Sequence, residues 1–205
     1  YQPDGTLVGD FVSTSETHLD NPGGLAFGPD GNLYVADYGG NEILRFDGTT
    51  GAFIDVFVAT SAGLTDPLGI EFGPDGDLYV ASRGSSGVVK FDGTTGVKDT
   101  GFVVAAISGA EDLTFGPDGN LYVGSTLGVI RVNASTGATS TFIANGSGGL
   151  LLAAGVEFGP DGHRYDADQD ADVIRHYNGT TGAYIDDCAI GGDGPAYLVF
   201  TADHR

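Results

Sequence analysis

Apolar residues fall in short clusters that alternate with turns rich in glycine and aspartate along the whole chain. The stretch LAFGPDGNLYVADYGGNEILRFDGTTGAFIDVFV, residues 25–58, holds several such clusters. Pro-Asp-Gly and Asp-Gly-Thr-Thr-Gly favour tight chain reversals, because proline presets φ and glycine accepts positive φ. No segment sustains a 3.6-residue period, so the pattern predicts short β-strands and almost no helix.

This pattern recurs along the chain. The phenylalanine that closes the first cluster of each unit stands at Phe27, Phe72, Phe115 and Phe158, with a fainter fifth copy at Phe200. Units of four short strands, called A to D in chain order, and about 40–45 residues are typical of a β-propeller. The sequence therefore predicts an all-β fold, a β-propeller with four-stranded blades of about 43 residues each.

The repeats predict a single domain over residues 1–205, with full blades at 24–58, 69–103, 112–143 and 155–189. Residues 1–12 align with strands C and D of a further blade, and residues 197–205 align with its strand A. The two ends would thus share a fifth, closing blade that leaves no free sheet edge. The alternative is an excerpt of a propeller with six or more blades, because the repeat fixes the blade type and not the count.

The stretch PGGLAFGPDGNLYVADYGGNEILRF, residues 22–46, resembles NHL repeats. It shares with them Pro-x-Gly, an apolar strand, Tyr-Val-Ala-Asp, and a following asparagine and arginine. The chain also resembles gluconolactonase and streptogramin-lyase propellers. The resemblance covers nearly the whole chain and implies the fold, but it leaves the function open because this repeat carries many activities.

The chain is strongly acidic, with 28 Asp and Glu against 8 Lys and Arg and a net charge of −20. Such a surface repels phosphate backbones and anionic lipid, which excludes nucleic-acid binding. No apolar run approaches 18 residues, so no membrane insertion is predicted. Cations, carbohydrates and small molecules remain as partners. We expect a secreted or cell-surface protein, where salt screens the charge.

Three functions fit this sequence. The first is a non-enzymatic extracellular scaffold for binding, adhesion or surface structure, with Ca²⁺ as a stabilising cofactor. The second, implied by the resemblance, is a metal-dependent lactonase or lyase. The third is a self-assembling surface subunit that pairs through its incomplete blade. The chain shows no Ser/His/Asp or Cys/His arrangement, HExxH motif or phosphate-binding glycine loop, which favours a protein that is not an enzyme.

The connections from strand D to the next strand A vary most, so they supply the predicted ligand-binding residues. These are Glu16, His18, Asp20, Asn21, Asp66, Glu111 and Asp112. The resemblance to lactonases makes Glu111 the one catalytic candidate, as a metal ligand just before strand A. Asp37 and Asp168 fit the aspartate of that ligand set, but its asparagine position holds Gly, Leu or Ala here.

The stretch YDADQDADVIRHY, residues 165–177, concentrates aspartates in one turn. Asp168, Asp170 and Asp172 are predicted to form a loose Ca²⁺ site, with Asp37 as the same turn position in the first unit. An EF-hand is excluded, because positions six and twelve from Asp166 hold Ala171 and Tyr177 instead of Gly and Glu.

The strands carry further charged residues. Glu71 and Glu157 stand inside strand A and are predicted to line a hydrated central channel. Arg164 and Asp166 replace the Leu and Val of other units, so we expect them to pair on a thinned or exposed sheet face that meets another chain. The basic residues of strand C are interpreted as one repeat position with a structural role: Arg45, Lys90, Arg131 and Arg175. The four histidines, His18, His163, His176 and His204, lie at unrelated repeat positions, so the repeat indicates no shared histidine position.

Overall fold

The structure, a computed structural model, describes residues 6, 9–12, 18–85, 87–190 and 194–200. These residues form fifteen strands: β1 Pro22–Phe27, β2 Leu33–Asp37, β3 Glu42–Phe46, β4 Phe53–Val58, β5 Pro67–Phe72, β6 Leu78–Ser82, β7 Gly87–Phe91, β8 Asp112–Phe115, β9 Leu121–Ser125, β10 Gly128–Val132, β11 Thr139–Ala144, β12 Ala153–Phe158, β13 Arg164–Asp168, β14 Val173–Tyr177 and β15 Tyr184–Ile190. The helical residues in this part of the chain are two three-residue 3₁₀ turns, Thr60–Ala62 and Ser147–Gly149. Neither these turns nor any other described segment is a helix long and apolar enough to cross a membrane.

The strands form four antiparallel sheets, each built from strands that follow one another in the chain. The first blade is β1–β4, the second β5–β7, the third β8–β11 and the fourth β12–β15. The predicted fourth strand of the second blade is reduced to one bridge between Phe91 and Lys98. The Asp99 side chain accepts bonds from the amides of Gly101 and Phe102, which competes with a strand ladder there.

The innermost strands of the four blades lie side by side. Strand β1 contacts β5, β5 contacts β8, and β8 contacts β12. The next segment in this order is not a strand, but Ala196 and Tyr197 lie directly against Gly155 of β12. Sheets that radiate from adjacent inner strands are the blades of a propeller, so the predicted all-β propeller fold is confirmed.

One aromatic contact repeats between successive blades. The ring of Tyr34 meets Phe72 of the next blade edge-on, with centroids 4.8 Å apart. Three further pairs repeat this contact at 4.9–5.1 Å: Tyr79–Phe115, Tyr122–Phe158 and Tyr165–Phe200. Phe200 therefore occupies the place of the repeated phenylalanine, as its position in the sequence indicates. Edge-to-face pairs of this kind stabilise beyond the area that they bury.

The predicted closing blade lies mainly outside the described residues. Within the described part, residues 9–12 and 195–200 contain no strand. The Phe11 carbonyl oxygen lies against Gly51, as the Phe57 carbonyl oxygen of the first blade lies against Gly96 of the second. Phe11 thus holds the place of a strand-D residue one unit earlier. The number of blades stays a prediction.

Candidate functional site

A central cavity of about 440 Å³ lies among the inner strands. Its lining is mostly apolar. Four segments of the blades and the segment after the fourth blade contribute the lining: Gly23, Gly24, Leu25, Ala26, Ile70, Glu71, Asp112, Leu113, Thr114, Val156, Glu157, Tyr197, Leu198 and Val199.

Three carboxyl groups project into this lining, and no Lys, Arg or His stands among its described residues. Glu71 Oε2 accepts the amide of Phe115 at 3.0 Å, and Asp112 Oδ2 accepts the amide of Val156 at 3.1 Å. Each of these two side chains thus accepts a hydrogen bond from the inner strand of the next blade. Glu157 Oε1 accepts the amide of Phe158 at 3.0 Å. Glu71 and Glu157, which the sequence assigns to the channel, both line it.

Burial raises the pKa of all three cavity acids above its ordinary value. Burial, joined by repulsion from Glu157 and Asp112, raises the pKa of Glu71 to about 7. Burial likewise raises the pKa of Asp112 to about 7, although the amides of Val156 and Leu113 and the charge of Arg164 lower it. The pKa of Glu157 is raised by burial as well. Near pH 7, Glu71 and Asp112 are therefore each partly protonated.

The arrangement suits hydrogen bonding and charge pairing with a bound molecule. Carboxyl groups with pKa values near 7 can donate a hydrogen bond when protonated and accept one when ionised. Among the described residues, however, the cavity acids do not bring three ligand atoms within 4.8 Å of one another. The cavity is therefore wide and acidic, and it is not a compact metal centre in this geometry.

Of the residues that the sequence assigns to ligand binding, Asp112 is the one in the described lining of the cavity. Its neighbour Glu111 turns to Arg83, whose Nε lies 3.2 Å from Glu111 Oε1. That oxygen is buried and makes no hydrogen bond of good geometry. Burial raises the pKa of Glu111, and the negative charge of Asp170 adds to this shift, whereas the positive charge of Arg83 opposes it. Glu111 as a catalytic metal ligand stays a prediction.

The other predicted ligand residues hold the connections between blades in place. Asp20 and Asn21 accept the amides of Gly39 and Tyr38 through their carbonyl oxygens. The Asp66 amide donates to Asn41 Oδ1 at 2.7 Å, and the exposed His18 ring stacks on Phe53 with centroids 3.9 Å apart. The described cavity lining includes none of these residues. Glu16 lies outside the described residues.

Asp37 and Asp168 share one position at the end of the second strand of their blades, and both are buried. Asp37 Oδ1 accepts the amide of Asp20 at 2.8 Å. Asp168 accepts the amides of Leu151 and Leu152, both at 3.0 Å, and the Nε of Arg175 at 2.7 Å. In this structure both side chains therefore fasten the incoming connection to its blade.

Asp170 and Asp172 lie exposed in the turn between β13 and β14. Asp172 has a φ of 56° and accepts the amide of Gly194 at 2.8 Å. Asn41, with a φ of 57°, accepts the amide of Asp66 in the same way in the first blade. The turn is therefore the ordinary repeat turn with more acid in it. A Ca²⁺ site at Asp168, Asp170 and Asp172 stays a prediction.

The strand register corrects one alignment drawn from the sequence. Tyr34 pairs with Arg45, Tyr79 with Lys90 and Tyr122 with Arg131, but Tyr165 pairs with His176. In the strand register Arg175 lies opposite Asp166 instead. Its assignment to the repeat position of the other three basic residues is therefore wrong. A shift of one residue moves a side chain to the opposite face, which places Arg175 against Asp168 and Asp187.

Arg164 and Asp166 do pair, with 2.9 Å between Nε and Oδ1. The expected thinned or exposed sheet face is wrong, because both side chains are fully buried. The guanidinium lies over the rings of Tyr122 and Phe158, at 5.1 and 5.0 Å from their centroids. The pair therefore sits in the core between the third and fourth blades.

Sequence reasoning missed one histidine group. Ligand atoms of Asp161, His163 and His176 all lie within 4.8 Å of one another. Among the described residues, this is the one group of His, Cys, Asp or Glu side chains close enough together to hold a metal ion. The two histidines stand at different repeat positions, so the repeat alone gives no sign that they meet. The register of β14 could have revealed the group, because it sets His176 opposite Tyr165 as Arg45 is set opposite Tyr34.

Comparison with known proteins supports the fold. An NHL repeat model matches residues 19–46. No curated protein matches the chain by sequence. Among solved structures, the chain is similar to virginiamycin B lyase from Staphylococcus aureus, determined as a catalytically inactive variant with quinupristin. The identity is 17%, the TM-score is 0.66, and the match covers 86% of this chain and 58% of that one.

Two further structures share the architecture. A candidate gluconolactonase is 16% identical with a TM-score of 0.66, over 81% of this chain and 63% of that one. Kuenenia stuttgartiensis hydrazine synthase is 18% identical with a TM-score of 0.66, over 89% of this chain and 52% of that one. The chain spans between half and two thirds of the length of these structures. At such identities the likeness carries the fold alone: the chain is a β-propeller with an NHL repeat, similar to lyase and lactonase propellers.

Proposed function

We propose that this propeller is a non-enzymatic binding module whose central cavity takes a small organic cation, such as an alkylammonium or alkylguanidinium group. One observation carries the proposal: three acidic residues, Glu71, Asp112 and Glu157, are part of a mainly apolar cavity lining that contains no described basic residue. A hydrocarbon part would pack on the exposed side chains of Leu25 and Val199, while the cationic head would meet the acids.

The raised pKa values support the same proposal. A cation in the cavity favours the ionised form of each carboxyl group, so its binding would release protons near neutral pH. Binding would weaken below pH 7, where Glu71 and Asp112 are protonated. A neutral ligand of the same shape would show much less of this pH dependence.

The test is calorimetric titration of the full chain with n-butylammonium, and with n-butanol as a neutral probe of similar shape. Affinity for n-butylammonium is expected to fall about tenfold or more between pH 8 and pH 5. Glu71→Gln and Asp112→Asn should each weaken binding at pH 8. Asp92→Asn is the matched control, because Asp92 lies in a C–D turn where the later blades carry Asn133 and Asn178.

Two outcomes would overturn the proposal. Equal affinity for the ammonium probe and for n-butanol at pH 8 would show that charge plays no part in binding. Unchanged ammonium affinity in Glu71→Gln and Asp112→Asn would place the binding elsewhere on the acidic surface. Titration in two buffers of different ionisation enthalpy measures the released protons directly.

A lactonase or lyase is the second candidate. Carboxyl groups with pKa values near 7 are suited to proton transfer at neutral pH, and the similar structures include a lyase and a candidate gluconolactonase. Turnover of glucono-δ-lactone and of quinupristin can be assayed with the wild type, Glu71→Gln and Glu111→Gln. Turnover that either substitution abolishes supports this candidate, and turnover equal to the blank argues against it.

Calcium binding, an extracellular location and self-association are further parts of the proposal. The net charge of −20 and the acidic turn at Asp170 and Asp172 favour Ca²⁺, which would raise the melting temperature modestly. An equal melting temperature in chelator and in millimolar Ca²⁺ would contradict this. Sedimentation at several protein concentrations tests self-association, and fractionation of the source cells tests the location.

A further inference from the structure

The first three blades share one charged arrangement at the turn between their first two strands. Asp30 accepts the hydroxyl of Tyr34 at 3.0 Å, and Asp75 and Asp118 accept those of Tyr79 and Tyr122 at 2.9 and 3.1 Å. Each carboxylate also faces a cation from the third strand of its blade. The distances are 3.8 Å for Arg45–Asp30, 2.8 Å for Lys90–Asp75 and 3.9 Å for Arg131–Asp118.

In the first blade a second acid completes this arrangement. Arg45 pairs across the sheet with Asp55, and its Nη2 lies 2.6 Å from Asp55 Oδ2. Arg45 is thus held between a turn aspartate and an aspartate of the fourth strand. The permanent positive charge of the guanidinium compensates the two carboxylates.

The fourth blade keeps both acids and replaces the cation. Asp161 accepts the hydroxyl of Tyr165 at 2.9 Å, and Asp186 pairs across the sheet with His176. His176 therefore stands where the first blade has Arg45, and its ring stacks on Tyr165 with centroids 4.6 Å apart and 10° between planes. A second imidazole, His163, replaces the Asn32 of the first blade. With neutral imidazoles, the two carboxylates have no compensating charge.

The two imidazoles are aimed at each other. His163 Nδ1 lies 2.8 Å from His176 Nε2, and His176 Nδ1 lies 2.9 Å from Asp186 Oδ1. When Asp186 accepts the Nδ1 proton of a neutral His176, the lone pair of Nε2 points to His163 and Asp161. A carboxylate that orients an imidazole from its far nitrogen is the usual outer partner of a metal-bound histidine.

We propose that Asp161, His163 and His176 form a binding site for a divalent transition-metal ion, with Zn²⁺ as the ion that the ligands fit best. Two imidazoles and a carboxylate suit Zn²⁺, Co²⁺, Ni²⁺ or Cu²⁺, whereas Ca²⁺ takes oxygen ligands. The ion supplies the positive charge that Arg45, Lys90 and Arg131 supply in the other blades. Asp161 is exposed, so water can complete a four-coordinate shell.

The geometry requires only a small adjustment. Two nitrogens bound to one tetrahedral Zn²⁺ at 2.0–2.1 Å are about 3.3 Å apart. The present separation of 2.8 Å is that of a shared proton. A rotation that opens the imidazoles by about half an ångström exchanges this proton for the metal, and binding therefore releases a proton when one is shared.

The test is calorimetric titration of the untagged full chain with Zn²⁺, and with Co²⁺, whose visible absorption reports tetrahedral coordination. One ion per chain is expected. His163→Asn and His176→Arg restore the residues that the first blade carries, so they preserve the repeat while removing a ligand. Both should abolish binding of the ion. Asp186→Asn, which removes the negative charge of the outer partner, should weaken binding about 10- to 100-fold.

His18→Asn is the control, because His18 lies on Phe53 of the first blade and should leave metal affinity unchanged. The proposal is overturned if the wild type binds no Zn²⁺, or if His163→Asn binds it as tightly as the wild type. A second measurement needs no variant: Zn²⁺ should shift the imidazole NMR signals of two of the four histidines. Shifts of none, or equal shifts of all four, would overturn the proposal even if a variant failed to fold.

Discussion

Arg164 Nε lies 2.9 Å from Asp166 Oδ1 in a part of the core that no solvent reaches. Both terminal nitrogens of Arg164 and the second oxygen of Asp166 are buried without a hydrogen-bond partner. The rings of Tyr122 and Phe158 on either side of the guanidinium attract it, but they do not replace the missing hydrogen bonds. One ion pair with a single good bond repays little of the cost of removing two charges from water.

We therefore expect the double variant Arg164→Leu/Asp166→Val to fold and to match or exceed the wild type in stability by up to about 4 kcal/mol. Leu and Val are the residues of the other three blades at these positions, so the volume fits the repeat. Asp166→Val alone should cost about 3–5 kcal/mol, because it leaves a buried guanidinium without its partner. Urea unfolding of the four corners of the cycle measures both values, and a double variant as unstable as the single one would contradict the argument.

The shared position of Asp37 and Asp168 allows a paired prediction. Serine fills it in the second and third blades, where Ser82 bonds the amide and carbonyl of Thr65. Asp37→Ser should therefore cost less than about 1 kcal/mol. Asp168→Ser should cost about 1.5–3 kcal/mol, because Arg175 would lose its closest carboxylate and keep only Asp187. Equal losses in the two variants, measured by denaturant unfolding, would show that the ion pair contributes nothing specific.

The cavity acids make stability depend on pH. The pKa of Glu71 is about 7 in the folded chain against a usual 4.5, so the native state binds more protons than the unfolded state between these values. The contribution of Glu71 to the free energy of unfolding therefore falls as pH rises from 4.5 to 7, by on the order of 2–3 kcal/mol. Glu71→Gln should raise the melting temperature more at pH 8 than at pH 4.

Asp92→Asn is the control for this measurement and should behave in the opposite sense. Bonds from the amides and hydroxyl of its turn lower the pKa of Asp92, so its contribution is present at neutral pH and is lost in acid. The amide variant should therefore gain nothing at pH 8. If Glu71→Gln has the same effect on melting temperature at both pH values, the raised pKa does not act on folding.

The contacts between blades can be measured through the repeated phenylalanine. Phe115 packs on Tyr79 of the preceding blade with centroids 5.1 Å apart, and Phe115→Ala should cost about 2–4 kcal/mol. Phe27 stands at the same repeat position with 58% of its surface exposed, so Phe27→Ala should cost less than about 1 kcal/mol. A comparable loss for both in urea unfolding would mean that the contact between blades is not what the phenylalanine provides.

The sequence predicts the architecture because the repeat states it several times. Phe27 and its copies, the Pro-Asp-Gly turn and the turn aspartates recur at matching offsets, and the structure confirms even the faint copy at Phe200. The channel position of Glu71 and Glu157 also follows from their place in strand A. Their pKa values could not be predicted, because they depend on how deeply the packed inner strands bury each carboxyl group.

The site on the fourth blade could not be predicted for a different reason. His163 and His176 lie on different strands and at different repeat positions, and one residue of register decides whether they meet. Alignment of Arg175 with Arg45 sets Arg175 opposite Tyr165. Alignment by the last apolar residue of the strand, Tyr177 for Phe46, would have placed His176 there.

The tyrosine–phenylalanine contact also sets an order of events for the nascent chain. Each tyrosine can make this contact only after a phenylalanine almost one repeat later has been translated, as Tyr34 does with Phe72. A blade whose strands have all emerged still lacks this contact until the following unit begins to appear. During synthesis, packing between blades would therefore follow translation by one strand, and Tyr165 would find its partner only once Phe200 has emerged.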